Sequence, residues 1–550
     1  MDITSPLQRL RMHYNPELPL ILQEMSSLLP VKEAAEEIVR ETELEGMFPN
    51  SCTKAILRFR QGASIPGVPL RVGIILSGGQ APGGHNVIAG LFDSLKKFHP
   101  DSRLIGFFDG PDGIIHNRSL ELTKAVIAPY RNLGGFDVIG SGRGKIETAE
   151  QFEKVGQTLL AHRLDGLVIV GGDDSNTNAA FLAEFCHQRQ LQTRIVGVPK
   201  TIDGDLKNAF VEVSFGFDTA TKVYSEIIGN LLKDALSAKK YYFFIKMMGR
   251  SASHVTLECA LQTQPNLALI GEEVEAERKT LATLVEQIAD LIGARAKIGK
   301  EFGAILIPEG LLEFIPECRE MIRELNVLLA SHPSLGEFEK SGMNAALKTV
   351  TEQLSASAVA CWNCLPESIQ RQLLLDRDPH GNVQVSQIET ERLLIELVEK
   401  ELRRRKQQGL YEGKFNPQPL FCGYEGRSGF PSNFDCRYCY ALGHAAALLI
   451  RHHASGYMCC IKKLTRPVAE WEVLGVPLVD MLHFELRKNK KQAVLKKTLV
   501  DLNGAAFASF KQQRASWELE DVYRCPGPIQ FEGHSEGIDQ PPLTLLYEFE

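Results

Sequence analysis

Residues 70–84 read Leu70-Arg71-Val72-Gly73-Ile74-Ile75-Leu76-Ser77-Gly78-Gly79-Gln80-Ala81-Pro82-Gly83-Gly84. A short apolar run breaks at once into a glycine-rich turn, and a helical pattern follows from about Asn86 to Lys97. The same grammar recurs along the chain. Leu164 to Val170 closes on Gly171-Gly172-Asp173-Asp174-Ser175, and Ile195 to Val198 closes on Pro199-Lys200-Thr201-Ile202-Asp203-Gly204-Asp205. Tyr242 to Met247 closes on Met248-Gly249-Arg250, and Ala304 to Ile307 on Pro308-Glu309-Gly310. Short apolar runs alternating with helices imply α/β architecture, with parallel sheets covered on both faces. Ligands bind such sheets in the crevice beyond the carboxyl ends of the strands. Every one of these glycine- and carboxylate-bearing loops falls at that end.

Outside this pattern the signals change. Residues 1 to about 68 read as a helical, amphipathic extension ending at Gly67-Val68-Pro69. From about 311 to 415 the strand signal fades, and the segment reads as a mostly helical insertion. Ser386 with Glu389 has the spacing of a capping box. Ile388, Ile395, Val398 and Leu402 follow at helical spacing, up to Arg403-Arg404-Arg405-Lys406. A basic last turn complements the helix dipole, which explains that run without nucleic acid. A second basic run, Arg487 to Lys497, reads as a solvated face. Glycine-rich sequence returns at Phe421-Cys422-Gly423-Tyr424-Glu425-Gly426-Arg427-Ser428-Gly429.

Length and composition bound the function. At 550 residues, 44% hydrophobic and 23% charged, the chain can bury several cores and is not globally disordered. A net charge of −7 argues against a protein built to hold nucleic acid. No stretch approaches the ~20 apolar residues of a membrane helix. The segment Met1-Asp2-Ile3-Thr4-Ser5-Pro6 lacks the basic-then-apolar build of a signal peptide. A cytoplasmic protein with reduced thiols is therefore expected. The pairs Cys361/Cys364 and Cys436/Cys439 have zinc-ligand spacing within each pair. They lie about 70 residues apart, against the ~15–20 of a compact zinc ribbon, so scattered thiols are the expectation.

The loops carry the chemistry. Glycines between a strand and a helix let backbone N–H groups approach an anion, helped by the helix dipole. The Ser77–Gly84 loop fits neither the P-loop nor the dinucleotide pattern. Asp173 and Asp174, adjacent at a buried strand end, repel each other unless a cation compensates. A divalent ion bound to phosphate suits them, through one or two carboxylates and several waters. The alternative is a helix cap made by Asp173 or Ser175. It accounts for one acidic residue but not for the glycine pair and both carboxylates. Lys200 beside Asp203 and Asp205 supplies a phosphate cation and a candidate general base, the combination phosphoryl transfer requires.

Taken in order, Gly-Gly-Asp-Asp-Ser, Pro-Lys-Thr-Ile-Asp-Gly-Asp, Met-Gly-Arg, Pro-Glu-Gly and Gly-Tyr-Glu-Gly-Arg resemble the motifs of the 6-phosphofructokinase family. They are most similar to its long, pyrophosphate-dependent branch, over about residues 70 to 450. The resemblance implies two Rossmann-like domains with parallel-rich sheets, plus the N-terminal helical extension (1–69) and the helical insertion (311–415). A phosphate-donor domain would take 70–210 and 446–550, and a fructose 6-phosphate domain 211–310 and 416–445.

It also implies roles for single residues. Gly79 would hold the donor pyrophosphate, and Asp173 would bind Mg²⁺. Asp203 would take the proton from the sugar 1-hydroxyl, with Thr201 and Ile202 lining the same site. Met248, Gly249, Arg250 and Glu309 would contact the sugar. Tyr424, Glu425, Gly426 and Arg427 would hold its 6-phosphate, for which an arginine fork is suited. Lys240 and Tyr241 match the segment that reaches a neighbouring subunit's site, which implies at least a homodimer.

Two departures from the ATP-using pattern bear on the donor. Asp174 stands where those members carry Gly, and Lys200 stands where they carry a small residue. A carboxylate at 174 would repel a nucleotide's α-phosphate by like charge, while Lys200 would offer a cation to pyrophosphate. The loop Ser141-Gly142-Arg143-Gly144-Lys145 adds further charge. The expected reaction is reversible, Mg²⁺-dependent phosphoryl transfer to fructose 6-phosphate, as in glycolysis and gluconeogenesis. The alternatives are an ATP-dependent phosphofructokinase and a catalytically silent regulatory subunit. NAD and lipid kinases share the Gly-Gly-Asp turn but lack the Met-Gly-Arg and Gly-Tyr-Glu-Gly-Arg motifs.

Overall fold

Gly166–Gly171 is buried at every residue, as a strand must be when helices cover both faces of its sheet. In the computed structural model, which describes residues 4–33, 42–331, 343–375, 383–487, 490–533 and 539–549, this strand lies inside a nine-stranded sheet. Its neighbours are Arg71–Leu76 on one side and Arg194–Pro199 on the other, both parallel to it. Arg103–Phe107 and Tyr457–Lys462 extend the parallel core outward in the two directions. Antiparallel strands finish both edges. Ser119–Glu121 closes one, and Glu472–Pro477, Ile56–Gln61 and Leu28–Glu33 close the other.

The chain divides into two compact units. The first comprises Met1–Val223, Tyr424–Thr498 and Ile529–Glu550, and contains the nine-stranded sheet. The second comprises Tyr224–Gly423 and Leu499–Pro528. Its sheet is wholly parallel, in the order Pro417–Cys422, Tyr242–Met247, Gly303–Pro308, Leu267–Ala268. Tyr242–Met247 and Gly303–Pro308 are buried throughout. The α/β class with parallel-rich sheets is therefore present, and among the described residues no helix is long and apolar enough to cross a membrane.

Three readings need correction. The extension over 1–69 is not simply helical: Leu28–Glu33 and Ile56–Gln61 are strands that add to the large sheet. Pro30 sits in the outermost strand, where a missing N–H costs no ladder bond. The second correction concerns the Ser386–Glu389 capping box. Ser386 lies in a 3₁₀ turn, and the helix Thr390–Gln407 begins after Glu389 without a side-chain cap. Gln372 has taken the Glu389 groups that the box would use, donating Nε2 to the carboxylate at 2.8 Å and accepting the Glu389 N–H at 2.9 Å. The third concerns the basic run ending at Lys497, part of which turns to the carboxylates of half-buried Asp173 and buried Asp205, described below. By contrast, the basic end of Thr390–Gln407 is a solvated face, with Arg404 and Arg405 paired to Glu401.

The helices over 311–415 do not form a body of their own. Leu325, Trp362, Leu373 and Val398 share one apolar core with Phe244 and Ile305 of the second unit's sheet. Cys436 and Cys439 are buried inside the helix Asn433–Arg451. Burial pushes the Cys436 thiol up to about 12.

Candidate functional site

In the first unit the loops after Arg71–Leu76, Gly166–Gly171 and Arg194–Pro199 meet at the carboxyl ends of three adjacent strands. Lys200 is the hinge of the arrangement. Its N–H donates to Gly171 O at 3.0 Å, and its buried ammonium donates to Gly79 O at 2.6 Å. Gly78 turns the chain with a positive φ of 85°, and a Cβ there would lie 3.2 Å from the Lys200 ammonium. A side chain at 78 would thus strain the backbone and crowd the lysine. A Cβ on Gly79 would meet the Arg427 guanidinium at 3.8 Å. Glycine loop, lysine and arginine are neighbours.

The burial of Lys200 has an electrostatic consequence. Desolvation lowers its pKa to about 8, while Asp203 and Asp173 pull it up and Arg427 and Arg143 push it down.

Asp173 opens the helix Asp173–Gln188, whose cap residue is Gly172 and carries no side-chain cap. Ser175 donates instead to Ser77 Oγ at 2.8 Å. The capping alternative for Asp173 and Ser175 is therefore not how this helix begins. Both carboxylates sit in the first turn, where the helix dipole favours negative charge. Burial raises the Asp173 pKa, with Lys497 opposing and Asp174 and Asp205 reinforcing. Asp174 pairs with Lys145 at 2.9 Å. Lys497 stands 3.6 Å from Oδ2 of Asp173 and 3.6 Å from Oδ2 of buried Asp205.

Thr201, Ile202 and Asp203 follow Lys200 on one tight loop. The Asp203 N–H donates to Thr201 Oγ1 at 3.1 Å, Ser214 Oγ donates to Thr201 O at 3.0 Å, and Ile202 is buried. Gly204, with φ of 74°, completes the turn before Asp205. Tyr424, Glu425 and Gly426 form a 3₁₀ turn. The Arg427 guanidinium lies over the exposed Tyr424 ring, 4.8 Å from its centre.

The second unit places its own predicted residues at its own strand ends. Glu309 is buried and accepts the Gly249 N–H at 3.0 Å, and Gly249 has φ of 131°. Met248 N–H donates to Cys422 O at 2.9 Å, which fixes the turn after Tyr242–Met247. Arg250 is exposed. Lys240 is exposed as well, with its ammonium 4.9 Å from the centre of the Tyr241 ring.

Two cations escaped the sequence reading of single residues. Lys145 was visible only as part of a charged loop. Lys497 was read only as the end of a solvated basic run, because its place at the acidic pair depends on how the hairpin Leu482–Arg487 and Lys490–Leu495 is tied down. Arg427 also lies beside the Gly79 loop, a neighbour the sequence reading did not give it.

The acidic pair suits a hard divalent cation. Among the described residues no group of three or more His, Cys, Asp or Glu side chains could hold a metal ion. Zinc and calcium cages built wholly from protein need more ligands than that. Mg²⁺ is usually held by one or two carboxylates, with waters and substrate phosphates completing its octahedron. Asp173, with Asp205 beside the same ammonium, meets that requirement.

Together the fold and the site define an α/β protein whose parallel strands deliver glycines, carboxylates and cations to their carboxyl ends. Residues 71–361 match the family described as Phosphofructokinase. The chain belongs to that family. It is 55% identical over 480 residues to a pyrophosphate–fructose 6-phosphate 1-phosphotransferase of Treponema pallidum, covering 87% of this chain and 83% of that one. It is 47% identical over 545 residues to the protein of the same description from Porphyromonas gingivalis, covering 99% of each. The fold matches the crystal structure of a pyrophosphate-dependent phosphofructokinase from Nitrosospira multiformis. There the TM-score is 0.55 at 14% identity, over 87% of this chain and 96% of that one.

Proposed function

We propose that this chain transfers a phosphoryl group reversibly between pyrophosphate and the 1-hydroxyl of fructose 6-phosphate, giving fructose 1,6-bisphosphate and phosphate. The observation that carries this reading is the buried Lys200 ammonium on the Gly79 carbonyl, flanked by Arg427 and facing carboxylates. A fixed cation beside a glycine turn offers a small polyanion charge and open backbone. Asp174, closed by Lys145, occupies the place that the ATP-using pattern leaves to glycine.

In this reading Asp203 accepts the proton of the sugar hydroxyl as its oxygen attacks phosphorus, the role of a general base. Lys200 and Gly79 hold the donor, while Thr201 and Ile202 shape the loop beside the base. Met248, Gly249, Arg250 and Glu309 bind the sugar, and Tyr424, Glu425, Gly426 and Arg427 its 6-phosphate. Asp173 would hold Mg²⁺, which when bound neutralises phosphate charge. Lys240 and Tyr241, on the surface, would serve a neighbouring subunit of a homodimer. The expected setting is the cytoplasm, in glycolysis or gluconeogenesis.

The test is an assay of the purified protein with fructose 6-phosphate, Mg²⁺ and either pyrophosphate or ATP, and in reverse with fructose 1,6-bisphosphate and phosphate. Pyrophosphate should support turnover in both directions. A higher kcat/KM with ATP would overturn the donor assignment, and no turnover with either would mark a regulatory subunit.

A further inference from the structure

Asp173 and Asp205 leave two negative charges side by side, and the single ammonium of Lys497 is shared between them at 3.6 Å from each. Those are ion-pair separations rather than hydrogen bonds. The third nearby carboxylate, Asp174, is answered separately by Lys145 at 2.9 Å. Chain segments on both sides hold Lys497 in place. Leu495 N–H donates to Thr177 Oγ1 at 2.9 Å, one turn into the helix that Asp173 opens. Thr498 N–H donates to Asp205 O at 2.8 Å. The lysine is thus anchored to both elements whose carboxylates it bridges. Its side chain is 28% exposed, so it also faces the solvent side of the acidic pair.

From this geometry, and resting on the functional reading above, we infer that Lys497 is a positioning residue that sets the charge of the donor site. It weakens the hold of the acidic pair on a divalent cation and strengthens the hold of the site on pyrophosphate. Two carboxylates and one ammonium leave a net charge of one negative unit. Removing the ammonium leaves two, which favours a divalent cation and disfavours a polyanion.

A purely structural lysine would not move two ligands in opposite directions, and the experiment reads that signature. Mg²⁺ alone is titrated by calorimetry into the full-length protein and its Lys497→Gln and Lys497→Arg variants, and the pyrophosphate KM is measured at saturating Mg²⁺. Lys497→Gln should bind Mg²⁺ at least about tenfold more tightly and raise the pyrophosphate KM at least about tenfold, as expected for a unit charge lost a few ångström away. Its fructose 6-phosphate KM should stay within about twofold, since Lys497 faces Asp173 and Asp205 and neither is assigned to the 6-phosphate. Lys497→Arg should restore both affected constants. Shifts of the same sign, or no shift in a variant that melts with wild type, overturn the proposal. So does a Lys497→Gln protein that fails to fold and whose Lys497→Arg counterpart fails with it. A wild type that binds Mg²⁺ but does not turn over pyrophosphate would sink the donor reading, while the Mg²⁺ shift on Lys497→Gln would still support the assignment of Lys497.

Discussion

The Lys145 ammonium stands 2.9 Å from Oδ2 of Asp174, so the carboxylate that distinguishes this chain from the ATP-using pattern is already partnered. On the proposed reading, discrimination against a nucleotide would come from an ion pair filling the space as well as from like charge. The pair itself is partly exposed, with 31% and 43% of the side chains accessible, and contributes only about 0.2–1 kcal/mol to stability.

Asp174→Gly should therefore fold normally, lose pyrophosphate activity, and release Lys145 to attract other phosphates. The kcat/KM for ATP should rise by about tenfold or more. Adding Lys145→Met to that variant should remove part of the gain. Unchanged ATP kinetics in Asp174→Gly would show that residue 174 is not the gate.

On the proposed reading, Lys200 should give the donor step a pH dependence. Burial holds its pKa near 8 instead of 10.5, so the ammonium is present below about 8 and lost above it. The kcat/KM for pyrophosphate, which reports the free enzyme, should fall as pH rises through that value. Lys200→Arg should abolish the fall. The sign for stability is opposite. Between about 8 and 10.5 the unfolded lysine keeps its proton while the folded one has released it. The burial penalty therefore fades, and this group's contribution to stability rises with pH across that window. A flat pyrophosphate profile from pH 7 to 9 would contradict this account.

Much of this arrangement was legible in the sequence. Tyr242 to Met247 is read from its residues with the bounds the structure has, and Gly166–Gly171 is displaced by only a residue or two. Both are apolar, fully buried runs closed by glycine, where local sequence and tertiary burial agree. Leu28–Glu33 was not legible because it is an edge strand: only Leu28 is buried, Leu29 and Val31 are half-buried, and the other three residues are exposed. Its sheet continues through Ile56–Gln61 to Glu472–Pro477, far along the chain. Within the site, the placement of Gly79, Asp173, Lys200 and Asp203 was legible because each follows a strand end within a few residues, Asp173 as the first residue of a helix. Lys497 sits beyond a hairpin, and the hydrogen bonds of Leu495 to Thr177 and of Thr498 to Asp205 bring it to the carboxylates.

Gly79→Ala isolates ligand approach from folding. The added methyl would touch nothing closer than the Arg427 guanidinium at 3.8 Å, an ordinary contact. Stability should change by less than about 1 kcal/mol, as for most substitutions that create neither strain nor a cavity. The pyrophosphate KM should nevertheless rise severalfold, because the methyl occupies space an anion would take. A drop in Tm matching the loss of activity would assign Gly79 to the fold instead.

Arg427→Ala should weaken fructose 6-phosphate binding by about 2–4 kcal/mol, the cost of truncating a charged partner in a phosphate pocket. Because Arg427 also helps to depress the Lys200 pKa, its loss should move the alkaline limb of the pyrophosphate profile upward. Finding the sugar-phosphate KM raised with that limb unmoved would separate Arg427 from Lys200.

Asp203→Asn tests the base. The bonds that hold its loop run through backbone and hydroxyl groups: Asp203 N–H to Thr201 Oγ1, and Ser214 Oγ to Thr201 O. Replacing the carboxylate by an amide of the same size leaves those bonds in place and removes the basicity, along with the negative charge that raises the Lys200 pKa. A general base acts mainly in the transition state, so its loss lowers kcat far more than it raises KM. The expected fall in kcat is about 10²–10⁴-fold in both reaction directions, with the fructose 6-phosphate KM within roughly tenfold of wild type. A folded Asp203→Asn protein keeping more than about a tenth of wild-type kcat would exclude Asp203 as the base. Asp205 would not be a simple substitute, because it is buried and already shares the Lys497 ammonium with Asp173. In that outcome Asp205→Asn should be compared with Lys497→Gln. A base at 205 would lower kcat in the first variant alone, whereas a purely electrostatic role would shift Mg²⁺ affinity in both, in opposite directions.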